Sequence, residues 1–83
     1  MIWVLEAMAL PDYRLQVRFS DGSAGIVDLK SFVFADQRPI VAALREPAPF
    51  AAMRVESDTV VWANGFDLAP EFLRSRLMNG VAI

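Results

Sequence analysis

The clearest structural pattern in the chain reads Tyr13-Arg-Leu-Gln-Val-Arg-Phe19 and continues as Ser20-Asp-Gly-Ser23 and Ala24-Gly-Ile-Val-Asp-Leu29. In the first segment apolar and polar residues alternate, so a β-strand would place the apolar side chains on one face and the polar ones on the other. The Asp-Gly pair of the second segment favours a tight turn, because glycine adopts positive φ without steric cost. Together the segments predict an antiparallel hairpin with one covered face, on which the rest of the chain packs.

The size of the chain limits how much apolar surface it can hide. A length of 83 residues predicts a single domain over residues 1–83. Hydrophobic residues make up 55% of the sequence, whereas a domain this small buries only about 60% of its unfolded surface. The surplus favours a surface for self-association or for a protein partner over a plain monomer.

Composition excludes several chemistries. The chain has neither cysteine nor histidine, which excludes disulfides and thiol catalysis and removes the commonest general base and metal ligand. We therefore expect no metal and no cofactor. The net charge is −2, with acidic and basic residues interspersed, so nucleic-acid binding by this chain alone is disfavoured.

Localisation is inferred from missing signals. The sequence contains no apolar run of about 18 residues, as a membrane span would require. Residues 1–6 lack the basic region of a signal peptide. We expect a cytoplasmic protein with no membrane partner.

The order of predicted elements is β-β-β-α-β-β-α. The first three strands cover residues 2–9, 13–19 and 24–29, and a second hairpin covers residues 53–55 and 59–62. One helix begins near Pro39 and ends at Glu46, before a proline, and the other begins near Pro70 and ends at the Asn79-Gly80 cap signal. This order predicts an α+β fold with an antiparallel sheet of about five strands and two helices packed on one face.

Three finer predictions concern the faces of the first strand, the segment after the first helix and the start of the last helix. In the first strand, strict alternation would place Ile2, Val4 and Met8 on one face and residues 3, 5, 7 and 9 on the other. Residues 48–50 are predicted to form a short loop, and Asp67 is predicted to bond the free amides at the start of the last helix.

Several short motifs together resemble a protein family. They occur in the order Leu10-Pro-Asp-Tyr-Arg-Leu15, Phe19-Ser-Asp-Gly22, Val27-Asp-Leu29, Leu44-Arg-Glu-Pro47 and Trp62-Ala-Asn-Gly-Phe-Asp-Leu68, followed by Ala69-Pro-Glu71. The chain resembles the domain-of-unknown-function 2442 family (DUF2442) over nearly its whole length, although that family usually has proline where this chain has Ala63. The resemblance implies a small prokaryotic α+β protein without established catalytic residues. Some members carry an additional DNA-binding helix-turn-helix domain, and some lie beside a second small protein in an arrangement that suggests a toxin–antitoxin-like pair.

One candidate site is polar and one is apolar. The polar candidate is a turn site formed by Asp28, Trp62, Asn64 and Asp67, with Glu71 nearby. The alternative is that these residues have structural roles: Asp28 would end a strand, Trp62 would lie in the core, Asn64 would form a turn, and Asp67 would cap a helix. The apolar candidate is an interaction surface formed by Trp3, Leu5, Met8, Val81 and Ile83. Its alternative is that Trp3 and Leu5 lie under the last helix.

We therefore expect a non-enzymatic module that binds a protein, either a second copy in a homo-oligomer or a small neighbouring protein. The alternative is a transcription-regulatory or antitoxin subunit that contacts nucleic acid through exposed arginines, namely Arg14, Arg18 and Arg54. An enzyme that uses Asp28 or Asp67 as an acid is disfavoured, because the sequence offers no nucleophile, metal-ligand set or phosphate loop beside them.

Overall fold

The predicted hairpin forms part of a first antiparallel sheet. The computed structural model describes residues 1–78 and contains β1 (Val4–Leu10), β2 (Arg14–Phe19) and β3 (Ala24–Asp28), hydrogen-bonded in the order β1-β2-β3. The alternation predicted for β2 is confirmed, because its apolar residues are buried and its polar residues lie on the opposite, outer face. Across β2 and β3, Arg14 pairs with Asp28 and Arg18 pairs with Ala24.

The faces predicted for the first strand are wrong because β1 contains a bulge. Val4 pairs with Phe19 and Glu6 pairs with Arg18, so Leu5 is an extra residue between two consecutive pairs. A bulge of this kind changes the alternation of side chains along the strand. As a result Val4 is buried, whereas Met8 lies opposite Gln16 on the outer face of the sheet.

The second hairpin belongs to a separate sheet, which corrects the prediction of one sheet of about five strands. It contains β4 (Met53–Glu56), β5 (Thr59–Trp62) and β6 (Asp67–Leu68), in the order β4-β5-β6. Strand β6 was not predicted, because its two residues are too few to show a periodic pattern.

The two sheets meet where β1 and β4 run side by side. The amide of Val4 donates a hydrogen bond of 2.9 Å to the carbonyl oxygen of Asp58. Since a bulge bends its strand and interrupts pairing, the bulge beside Val4 explains why this contact does not continue as a ladder. The six strands are thus divided between two three-stranded sheets.

Four short helices replace the two that were predicted. They are α1 (Lys30–Ala35), α2 (Pro39–Ala42), α3 (Pro47–Ala51) and α4 (Pro70–Ser75), and a 3-10 turn at Ala43–Arg45 continues α2. The loop predicted for residues 48–50 is wrong, because Pro47 ends the preceding segment and also starts α3 at a position where proline is favoured. Among residues 1–78, no helix is long and apolar enough to cross a membrane.

The end of the described chain leaves the last helix and returns to the first sheet. Leu77 forms an antiparallel bridge with Val27, and the amide of Met78 donates to the carbonyl oxygen of Ile26 at 2.7 Å. These two residues therefore lie beyond α4, although the helix predicted from the sequence continued to Asn79-Gly80. The cap predicted at Asn79-Gly80 lies outside the described residues.

One hydrophobic core joins both sheets and the helices. Its largest fully buried side chain is Trp62 of β5, whose indole N–H donates to the carbonyl oxygen of Phe50 in α3 at 2.8 Å. Other members come from every layer, including Phe19, Leu44 and Leu73. No polar or charged residue among those described is buried.

Candidate functional site

The outer face of the first sheet exposes large apolar side chains along β1 and the residue before it. The exposed fractions are 39% for Trp3, 41% for Leu5 and 57% for Met8. Soluble proteins expose single apolar residues commonly, but a row of them along one strand is characteristic of a binding surface. We call these three residues the β1 row. They are the described members of the predicted interaction surface, whose other members, Val81 and Ile83, lie outside the described residues.

Backbone pairing explains why Trp3 faces outward. The amide of Trp3 donates to Ser20 Oγ at 3.0 Å, and the amide of Ser20 donates to the carbonyl oxygen of Trp3 at 2.8 Å. Ser20 follows the buried Phe19, so alternation places Ser20 and its partner on the outer face. The bulge at Leu5 then keeps Glu6 and Met8 on that same face. The alternative that Trp3 and Leu5 lie covered by the last helix does not fit their exposure.

A shallow depression lies beside the β1 row. Its volume is about 490 Å³, and its lining comes from three strands of the first sheet: Glu6, Ala7, Met8, Gln16, Val17, Arg18 and Ala24. The register accounts for this arrangement, because Met8 pairs with Gln16 while Arg18 pairs with both Glu6 and Ala24. The small side chain of Ala24 leaves the space that the longer neighbours surround.

Charges on the outer face of the first sheet are balanced by ion pairs. Arg18 Nε lies 3.1 Å from Glu6 Oε1, and Arg14 Nε lies 3.6 Å from Asp28 Oδ2. The hydrogen bond from Arg18, together with its positive charge, lowers the pKa of the Glu6 carboxyl below its ordinary value. The β1 row therefore lies beside ion pairs whose charges cancel, and not beside a surface of one net charge.

The other basic side chains also contact partners within the chain, through ion pairs, hydrogen bonds or an aromatic ring. Ion pairs join Lys30 to Asp12, Arg38 to Asp36, Arg54 to Glu56 and Arg74 to Asp21. Arg45 donates to the backbone carbonyls of Val33 and Asp36 at 3.1 and 2.9 Å, and Arg76 lies over the ring of Phe72. Within residues 1–78 each basic side chain thus has a partner in the chain itself.

The residues of the predicted polar turn site have structural contacts. Trp62 is buried, and its indole N–H is bonded to Phe50. The Asn64 side chain donates to the carbonyl oxygen of Ile40 at 3.0 Å and accepts from the amide of Phe66 at 3.1 Å. These contacts fix the turn after β5 and hold it against α2.

The two carboxylates of that candidate site lie in different elements. Asp28, at the end of β3, accepts a hydrogen bond from the amide of Lys30 at 3.0 Å and pairs with Arg14. Asp67 is exposed in β6, opposite Val61. It does not cap the last helix as predicted, because α4 begins after Ala69 without a side-chain hydrogen bond.

A second cavity, about 300 Å³ in volume, was not predicted from the sequence. It lies at the far end of β1 and is lined by residues 9–13 together with Pro47, Phe50 and Ala51. Tyr13 at its edge has a φ of 63° and donates its hydroxyl to the carbonyl oxygen of Arg45. A positive φ is unusual for an aromatic residue, and no local sequence signal predicts it. No group of three or more metal-ligating residues occurs in the part of the chain that the structure describes.

Comparison with known proteins establishes the family. The chain belongs to the family described as "Protein of unknown function (DUF2442)", whose model matches residues 4–78. No curated protein matches the sequence.

A solved structure shares the fold. It is the crystal structure of the protein described as "Putative DNA Binding Protein NE0471" from Nitrosomonas europaea, with a TM-score of 0.74 and 21% sequence identity. The similarity covers 93% of this chain but only 49% of the other, so this chain spans about half the length of that protein. At this identity the similarity demonstrates the fold.

Proposed function

We propose that this protein is a non-enzymatic interaction module that binds a protein through the β1 row. The partner is either a second copy or a small neighbouring protein, and we place the interaction in the cytoplasm. The observation that carries the proposal is the exposure of Trp3, Leu5 and Met8 along β1 and the residue before it.

The energetics of the β1 row support this proposal. Burying a fully exposed large apolar side chain contributes about 1.5–3 kcal/mol, and the three side chains are 39–57% exposed, so covering what remains of each contributes a fraction of that value toward association. Aromatic residues and methionine are enriched at the centres of protein interfaces. The neighbouring ion pair between Arg18 and Glu6 would form the polar rim that such interfaces have.

The placement of the carboxylates supports a role other than catalysis. A general acid or base needs a free carboxyl in a pocket with a second reacting group. Asp28 is already bonded to the Lys30 amide and paired with Arg14, and Asp67 lies exposed on a different sheet.

The alternative is a regulatory or antitoxin subunit that contacts nucleic acid through Arg14, Arg18 and Arg54. The description of the structurally similar protein as DNA-binding favours this alternative. Against it, each of the three arginines would have to exchange a carboxylate partner for a phosphate, and the net charge of −2 opposes the approach of a polyanion. Filter binding to duplex DNA at low salt is the discriminating measurement, and retention that falls steeply as salt is added would favour the alternative.

Site-specific photo-cross-linking in the native host tests the main proposal. A photoreactive phenylalanine analogue in place of Met8 is expected to capture a defined protein, which mass spectrometry would identify as a second copy or another chain. The same analogue in place of Ile40 is the matched control, because Ile40 is also exposed, at 40%, but lies on α2. Equal or absent cross-linking at the two positions would contradict the proposal.

A point substitution gives an independent check. Leu5→Asp places a charge in the β1 row at a side chain that is 41% exposed, so we expect partner capture to be lost while the circular dichroism spectrum is unchanged. Ile40→Asp should retain capture. Capture that survives Leu5→Asp would mean that the partner binds elsewhere.

A further inference from the structure

We propose that the β1 row pairs with a second copy of this chain, so that Trp3 of each copy fills the depression beside Met8, Gln16 and Arg18 of the other. This inference rests on the proposed function and names its partner. It follows from the fact that one face of one sheet carries both a projecting aromatic side chain and a cavity of about 490 Å³.

The shape of the depression fits a large flat side chain. Its lining includes the small residues Ala7 and Ala24 and the longer side chains of Met8 and Arg18. Trp3 projects from the same face, as its pairing with Ser20 shows. An indole is the largest side chain that a protein can insert, and anchors of this type dominate the affinity of many interfaces.

Charge complementarity favours the indole of a second copy over a charged partner. The guanidinium of Arg18 at the border of the depression would face the electron-rich surface of an inserted indole ring, an arrangement that is attractive. This is the contact that Arg76 already makes with Phe72 within the chain. The ion pair of Arg18 with Glu6 leaves no net charge at this part of the face, so two copies would approach without repulsion there.

The positions of Trp3 (the knob) and of the depression (the hole) along β1 suit a two-fold dimer. Trp3 precedes β1, and Met8 and Gln16 mark the depression further along it. If two copies place their β1 strands antiparallel and face to face, each tryptophan meets the depression of the other copy. Such an interface is self-complementary, as a two-fold axis requires, and it closes after two copies. Leu5 lies between knob and hole in the sequence and would contact its counterpart near the axis.

Complementation between two defective variants tests this geometry. Trp3→Ala removes the knob, and Ala24→Phe fills the hole, so each variant alone is expected to dimerise at least about tenfold more weakly than the wild-type chain. A mixture of the two should recover part of the affinity, because the Trp3 of the Ala24→Phe copy meets the open depression of the Trp3→Ala copy. Sedimentation velocity over a range of concentrations measures all three, with Ile40→Ala as the control that should match the wild type.

The outcomes separate this inference from the proposed function. If Ala24→Phe does not fold by circular dichroism, Gln16→Phe fills the depression from an exposed position. A mixture that associates no better than either variant alone overturns the knob-and-hole pairing. A wild-type chain that stays monomeric at its highest soluble concentration overturns self-pairing, and cross-linking at position 8 to a different protein would then still support the proposed function. Absence of both dimer and cross-link overturns both.

Discussion

The β2–β3 hairpin of the first sheet and the β4–β5 hairpin of the second sheet turn by different means. The hairpin of the first sheet has Gly22 in its turn at a φ of 90°, and the turn is fixed by Asp21, whose carboxylate accepts from the amide of Ser23 at 2.9 Å. The hairpin of the second sheet turns through Ser57 and Asp58, at φ values of 53° and 68°, where glycine and asparagine are the usual residues. The carbonyl oxygen of Asp58 accepts from the amide of Val4 in the first sheet.

This difference indicates how each of these two hairpins is specified. The first turn has the residues that its backbone conformation requires, so its hairpin is encoded locally. The second turn has residues that tolerate the conformation only at a cost, and it is held by a contact with a distant strand. We infer that the second sheet depends on the first, and on the core between them, for its geometry.

Removing the central side chain of the second sheet should have the greatest effect on the free energy of unfolding. Trp62→Ala should destabilise the protein by about 3–5 kcal/mol, because it leaves a cavity in the shared core and an unpaired carbonyl at Phe50. Urea unfolding followed by circular dichroism measures the change. Trp3→Ala is the matched control: because that indole is 39% exposed, we expect a smaller loss than for Trp62→Ala when both variants are unfolded at a concentration too low for dimerisation. Similar losses for both variants would contradict the assignment of Trp62 to the core.

A reciprocal pair of turn substitutions tests the comparison directly. Asp58→Gly should stabilise the protein by about 0.5 kcal/mol, because glycine adopts the observed φ without strain and the backbone bond to Val4 remains. Gly22→Ala should destabilise it by about 1 kcal/mol through the backbone conformation alone, since a Cβ at Gly22 would meet no atom within 4 Å.

Thermal unfolding of the two turn variants is the measurement. Opposite signs would confirm that the two turns are specified differently. A loss of stability in the Asp58 variant would show instead that the Asp58 side chain, rather than the backbone contact, holds the second turn.

The smallest expected effect is a pH dependence to which the first sheet contributes, together with Asp36, whose pKa is lowered by its hydrogen bonds with Arg38. The hydrogen bond and charge of Arg18 lower the pKa of Glu6, and hydrogen bonds from Ser23, followed in size by the contact with Arg74, lower the pKa of Asp21. A carboxyl whose pKa is lower in the folded state stabilises the fold above its unfolded pKa, and this contribution is lost as the pH falls through the folded pKa. We therefore expect stability to be level near neutral pH and to decline in the acidic range.

Variants of these two carboxyls check the assignment. Glu6→Gln and Asp21→Asn should each flatten the acidic decline measured by unfolding at a series of pH values. Glu71→Gln, on the exposed first turn of α4, should leave the decline as it is in the wild type. An acidic decline that is unchanged in both Glu6→Gln and Asp21→Asn would contradict the assignment.

The candidate surface was predicted in part. Trp3, Leu5 and Met8 were identified from the sequence, because apolar residues in that number near a chain terminus exceed what a small core can cover. The depression beside them could not be predicted, since its lining comes from three strands and depends on their register. The bulge at Leu5 was also invisible, because Val4, Glu6 and Met8 fit strict alternation equally well when the partner strand is unknown.

Features with local causes could be predicted from the sequence. Strict alternation along β2, glycine at the first turn and proline at the start of α2 and α4 each act within a few residues, so the α+β class and the first hairpin were predictable. The division into two sheets, the positive φ of Tyr13 and the short helix α3 could not be predicted and became visible in the three-dimensional structure. At Tyr13 the backbone adopts a locally unfavoured conformation while its hydroxyl bonds to the distant Arg45, and the division into sheets depends on how strands distant in sequence pair.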